Sequence, residues 1–142
     1  QSRELSAELL ARTIARADGV VAMYTVIERD TGDTAGFVGY APRTLEWGDE
    51  LELGWMLLPA FHGRGYATEA AGALTQAAFG LPSIDMVEIR CDPRNARSAA
   101  VAARLGYELV ETLRGNALTP TGEPRDTMVW RFQRGMSIRR GA

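Results

Sequence analysis

One cysteine and one histidine in 142 residues remove two classes of chemistry at the outset. A lone Cys91 cannot build an internal disulfide framework or a cysteine-based zinc cluster, and its apolar surroundings in 85–91 read as those of a buried, inert thiol rather than a nucleophile. His62 alone cannot make a multi-histidine site, so no metal is expected. No apolar run reaches the ~20 residues that span a bilayer, and no charged-then-apolar leader is read, so no membrane is expected. An excess of one charge is missing too: 16 Lys and Arg against 18 Asp and Glu leave a formal −2. That offers no global basic field, so nucleic acid is not an expected partner and any anion must be held locally. A single thiol suits a reducing cytoplasm, the expected location. What is present is the composition of an ordinary globule, 46% hydrophobic and 24% charged, and its length suits a single domain, 1–142.

Leu9, Leu10, Ile14 and Ala17 recur at helical spacing and predict an amphipathic helix over 6–17. The β-rich segments 20–27 and 34–40, separated by Arg29-Asp30-Thr31-Gly32-Asp33, predict a hairpin. A loop over 42–48 leads to a strand over 50–58, stopped by Pro59. Ala67, Ala70, Ala71, Leu74 and Ala78 mark one face of a helix that ends at Gly80-Leu81-Pro82. A buried strand over 85–91, a turn at 92–95, and a short helix closed by Gly106 follow. Strands over 107–113 and 127–132 flank a polar loop. The order α-β-β-β-α-β-α-β-β describes a three-layer α/β/α sandwich around a mixed sheet.

The most informative junction is Leu51-Glu52-Leu53-Gly54-Trp55-Met56-Leu57-Leu58-Pro59 followed by His62-Gly63-Arg64-Gly65-Tyr66-Ala67-Thr68-Glu69-Ala70: strand, glycine-bracketed turn, helix start. Free N–H groups at a helix opening converge on one point, the dipole adds positive potential, and glycines let a phosphate reach the main chain. Arg64 can add a charge-assisted hydrogen bond. An ordinary turn would use the same residues. A dinucleotide fingerprint fits badly, because Thr68 stands at its third glycine position.

Four segments taken in order resemble the GNAT superfamily of acyl-CoA-dependent N-acetyltransferases, and within it the branch that acetylates ribosomal-protein N-termini: Glu52-Leu53-Gly54-Trp55 with Pro59; His62 through Ala70; Asn95-Ala96-Arg97-Ser98 through Leu105-Gly106-Tyr107; and Arg125-Asp126 entering the last strand. The match runs over roughly 20–134. Of the family's pyrophosphate loop, (Gln/Arg)-x-x-Gly-x-(Gly/Ala), Gly65 and Ala67 fit, while His62 replaces the first residue. Family members open with a strand before the first helix, and the usual first strand is expected to be missing from this domain.

The resemblance implies a mixed, mainly antiparallel sheet that splays at its centre, with acetyl-CoA as cosubstrate. It also implies direct attack of a primary amine, on a protein N-terminus or a small molecule. Glu52 would be the base. The backbone at Met56, Leu57 and Leu58 would pair with the pantetheine arm, and an N–H near Leu57 would hold the thioester oxygen. His62, Gly63, Arg64, Gly65, Tyr66, Ala67 and Thr68 would hold the diphosphate, and Asn95 would bond the pantetheine, an N-cap being its plainer role. Many members carry a tyrosine as general acid seven residues after this Asn; here that position is Ala102, which leaves Ser98 to relay a proton or bond the sulfur. Trp55, Trp47 and Tyr40 are candidates for the acceptor cleft. Tyr107 reads as core, Trp130 as core or a homodimer contact, and the arginine-rich tail 134–140 as solvated. A non-catalytic acyl-CoA-binding module is the alternative, motivated by Ala102 and the missing strand. The plainest alternative for Glu52 is a solvated charge in the acidic run Glu46, Asp49, Glu50 and Glu52.

Overall fold

The computed structural model describes residues 7–16, 19–45 and 48–136. Their strands are β1 (Ala7–Arg16), β2 (Gly19–Glu28), β3 (Thr34–Leu45), β4 (Gly48–Leu57), β5 (Ile84–Cys91), β6 (Glu108–Leu118) and β7 (Pro124–Gln133). The helices are α1 (Tyr66–Phe79) and α2 (Ala96–Leu105), with a 3-10 turn at Pro59–Phe61. Among the described residues the seven strands form one sheet in the order β1-β2-β3-β4-β5-β7-β6. Neighbours are antiparallel except β4 and β5, whose parallel pairing requires the crossover that α1 supplies.

Local turn chemistry accounts for most boundaries. The β2–β3 hairpin closes where the glycine-bearing turn is read, with Gly32 at φ +74° and the Glu28 N–H donating to Asp33 O at 2.9 Å. Gly106, at φ +96°, ends α2 in the left-handed cap that its position suggests. Two expectations need correction. Ala7–Arg16 is not a helix but a strand, paired with β2 from Ala7↔Glu28 to Arg16↔Gly19. A ten-residue ladder along the edge of β2 outweighs a helical pattern that rests on four apolar positions. Likewise 42–45 and Gly48 are not loop: β3 and β4 stay in register from Pro42↔Leu51 to Leu45↔Gly48.

The core joins the inward residues of the sheet, among them Val38, Leu51, Leu53, Val87, Ile89 and Phe132, to Ala70, Ala71, Leu74 and Ala78 of α1 and Val101, Ala102 and Leu105 of α2. Tyr107 is core, as read: it is 4% exposed, lies 5.2 Å from the Phe132 ring and shares a 2.6 Å hydrogen bond with the Thr75 hydroxyl. Trp130 packs partly buried against the same cluster. No described helix is long and apolar enough to cross a membrane.

Arg134 is not a solvated tail residue. Its guanidinium donates to Phe79 O at 3.1 Å, Leu81 O at 2.8 Å and Ile84 O at 2.5 Å, and lies 5.5 Å from the Phe79 ring centre. It thus ties the end of β7 to the open carbonyls beyond α1. Arg134→Ala should cost about 2 kcal/mol, the scale of charge-assisted hydrogen bonds lost with their carbonyls left under-satisfied, read as a lower urea midpoint at unchanged m-value.

Candidate active site

The pairing of β4 with β5 ends at Leu53↔Ile89, yet β4 continues to Leu57. Beyond that point β4 keeps its ladder with β3, as far as Gly36↔Leu57, and its other edge faces a cavity of about 630 Å³ between the strand ends and the openings of α1 and α2. Trp55, Met56 and Leu57 form one wall; His62, Gly63, Gly65, Tyr66, Ala67 and Thr68 form the second; Asn95 and Ser98 form the third. The sequence read these segments as one site, and the fold brings them together across three elements.

The second wall is a glycine-bracketed helix opening. Gly63 and Gly65 stand at φ +76° and +81°, where a side chain would be strained, and Gly65 is the N-cap of α1. The Glu69 N–H returns to Gly65 O at 3.0 Å, so the N–H groups of Tyr66, Ala67 and Thr68 precede that first full turn. The His62 ring nitrogen Nε2 lies 3.0 Å from Leu57 O, tying this loop to the end of β4. Asn95 is the N-cap of α2, its Oδ1 accepting the Ser98 N–H at 3.2 Å. Arg94 bonds Asp92 through side chain and backbone just ahead of that cap and holds its carboxyl down at about 2.

Two residues assigned to this site do not line it. Arg64 turns its head away, donating to Glu28 Oε2 at 2.6 Å. Leu58 is exposed, and its N–H is already committed to Ala35 O at 2.8 Å. Sequence reasoning missed Phe61, Arg97, Val101 and Arg104 among the lining residues. The three on α2 share a face by their spacing of three and four, a signal that was available.

Glu52 lies elsewhere. On β4 it alternates with the core residues Leu51 and Leu53 and so projects to the opposite face of the sheet. There a second cavity of about 440 Å³ is lined by Glu52, Tyr40, Trp55, Met56, Phe37 and Arg90, with Met23 and neighbouring backbone. Trp55 and Met56 line both cavities, so this stretch of β4 is the partition between them. Trp47 falls outside the described residues.

The Glu52 side chain is 38% exposed, with Arg90 Nε 3.7 Å from its Oε1. Arg90 is held in turn by Glu88, a carboxylate only 1% exposed that accepts from Arg90 Nε at 2.5 Å and from Arg131 Nε at 3.0 Å. Glu50 is buried as well, so the acidic run is not a uniformly solvated face. The alternating charges Glu88 and Arg90 in a largely apolar strand were the visible trace of this network. Elsewhere, burial pushes the Tyr107 phenol and the Cys91 thiol up, and neither lines the 630 Å³ cavity. Among the described residues no group of three or more metal-ligating side chains is found.

With this geometry in hand, comparisons place the chain among known proteins. The model of the acetyltransferase (GNAT) domain family matches residues 1–108. The chain is 30% identical over 94 residues to the uncharacterized protein YkkB of Bacillus subtilis (strain 168), a match covering 66% of this chain and 55% of that protein, so it spans about half the length of this curated relative. A probable GNAT-family acetyltransferase from Chromobacterium violaceum superposes with a TM-score of 0.69 at 35% identity, covering 82% of this chain and 58% of that one. The ribosomal-protein-S5-alanine acetyltransferase of Vibrio fischeri gives 0.74 at 19% identity, over 81% and 62% of the two chains, a likeness of fold. So does Arabidopsis thaliana NAA60 in complex with acetyl-CoA, at 0.74 and 14% identity, over 91% and 100%.

Proposed function

We propose that this chain, which belongs to the GNAT acetyltransferase family, binds acetyl-CoA in the 630 Å³ cavity and passes its acetyl group to a primary amine entering from the opposite face of the sheet. The observation that carries the reading is the shared partition: Trp55 and Met56 separate a cavity with an anion-binding loop from one that contains a carboxylate. Donor and acceptor on opposite sides of a splayed strand can meet at its end without either passing the other. The complex of NAA60 with acetyl-CoA supports a donor site in this fold.

The residues fit the cosubstrate. Two left-handed glycines and the first-turn N–H groups of α1 form a cradle that a Cβ would fill, suited to the diphosphate. Arg97 and Arg104 add positive charge to the rim. Acetyl-CoA, when bound, supplies an activated acyl group. The chain's own contribution is then to orient and to manage protons. Glu52 accepts the proton of the acceptor ammonium, the N–H near Leu57 donates to the oxygen where charge develops, and the Ser98 hydroxyl donates toward the departing sulfur. Ala102, fully buried on α2, offers no acid.

A thioester-cleavage assay across a panel of amines tests this, including peptides that present a free N-terminus, the acceptor class named for the Vibrio fischeri neighbour. Amine-dependent release of CoA with an acetylated product by mass is expected. Acetyl-CoA binding without release for any amine would favour a non-catalytic acyl-CoA-binding module. For the donor site, Gly65→Val is expected to weaken acetyl-CoA at least ~10-fold, about 1.4 kcal/mol, because the side chain both strains φ +81° and blocks the anion's approach. Unchanged affinity by calorimetry would place the diphosphate elsewhere.

A further inference from the structure

Glu28 ends β2, just before the hairpin turn, and no feature of the sequence connects it to the site. In the fold its side chain is 13% exposed and gathers three hydrogen bonds. Thr31 Oγ1 donates to Oε1 at 2.8 Å, Arg64 donates to Oε2 at 2.6 Å, and the Tyr66 hydroxyl donates to the same Oε2. The Arg64 guanidinium also lies 5.4 Å from the Phe61 ring centre and 5.9 Å from that of Tyr66. Phe61 and Tyr66 bracket the two left-handed glycines of the anion loop, and Arg64 stands between them. A carboxylate on the β2–β3 hairpin therefore grips both the middle of that loop and the first residue of α1.

A loop with two glycines is costly to order, and whatever order exists before binding does not have to be supplied by the ligand. The grip is also charge-balanced. A bare carboxylate beside an anion site would repel a diphosphate, and Arg64 neutralises it.

We propose that Glu28 is a positioning residue for the diphosphate of acetyl-CoA: through Arg64 and Tyr66 it holds 62–66 in the conformation whose N–H groups meet the anion. Arg64 is a strut, not a phosphate ligand. This rests on reading the 630 Å³ cavity as the acetyl-CoA site.

The two roles of Arg64 predict opposite signs. If Glu28 braces the loop, Glu28→Gln weakens acetyl-CoA about tenfold by calorimetry and raises its KM with kcat retained. If Glu28 instead holds back a phosphate ligand, the same change frees Arg64 and tightens binding. Acetyl-pantetheine, which lacks the diphosphate, provides the control: kcat/KM with it should be unchanged in Glu28→Gln. Tyr66→Phe, which deletes one hydroxyl and keeps the ring, should show a smaller loss of the same kind. The double variant Glu28→Gln/Arg64→Ala should bind no more weakly than the weaker single variant, since both changes break one unit. Equal or tighter acetyl-CoA binding in Glu28→Gln, or a loss shared equally by acetyl-pantetheine, overturns the proposal. A wild-type protein that does not bind acetyl-CoA overturns the reading of the cavity itself.

Discussion

Glu52→Gln is expected to lower kcat/KM about 100-fold, the usual scale of general base catalysis, while acetyl-CoA affinity stays at its wild-type value. Gln keeps the volume of Glu and can still present an oxygen to Arg90, whose Nε is 3.7 Å away, but it cannot accept a proton. With 38% of the side chain exposed and the donor cavity on the other face of β4, neither folding nor acetyl-CoA binding should suffer. Ser98→Ala should slow turnover more modestly, and a thioester with a better leaving group should restore part of that loss. A Glu52→Gln protein with the wild-type rate would leave positioning alone as the source of catalysis, with bulk water taking the proton.

Gly36→Ala is expected to be among the most destabilising single methyl additions in the chain. A Cβ at Gly36 would stand 2.1 Å from Met56 O and 2.8 Å from Leu57 Cα. Both are backbone atoms, so no side chain can swing aside. The change should cost about 3 kcal/mol, the upper part of the usual range for overpacking, read as a lowered urea midpoint. Relief of the clash can come only by pushing β4 away from β3 at Met56 and Leu57, two residues that wall the 630 Å³ cavity. Acetyl-CoA binding should therefore weaken even under conditions where the variant remains folded. Gly54→Ala is the control: nothing lies within 4 Å of its Cβ position, and its stability should match wild type. Equal midpoints for the two variants would show that β3 and β4 do not approach as closely as the fold indicates.

Much of this architecture was legible because it is governed by rules that act within a few residues. The glycine turn at 29–33, the left-handed stop at Gly106, the N-cap at Asn95 and the glycine-bracketed opening of α1 each depend on backbone φ or on a side chain reaching its own main chain. The resemblance extended that local reading to the segments lining the 630 Å³ cavity, and the fold brings them together. Residues 7–16 escaped it because a period of three and four describes a helix only if no neighbour offers a better use for the backbone. The edge of β2 does, a fact no window of sequence contains.

Side-chain partners were not legible for the same reason. Chemistry alone points Arg64 at a phosphate, but its position depends on a carboxylate 36 residues away, and the Arg131–Glu88 bond spans 43. That Glu52 and Ser98 occupy different cavities likewise depends on the alternation of β4 between two faces and on the point where β5 departs from it. By itself the sequence determined the turns, the limits of α1 and α2 and the glycine-bracketed opening of α1, all held by short-range sterics and hydrogen bonds. Only the tertiary structure decided which charge meets which and on which side of the sheet each group works, because those outcomes follow from strand order and register, set by contacts between residues far apart in the chain.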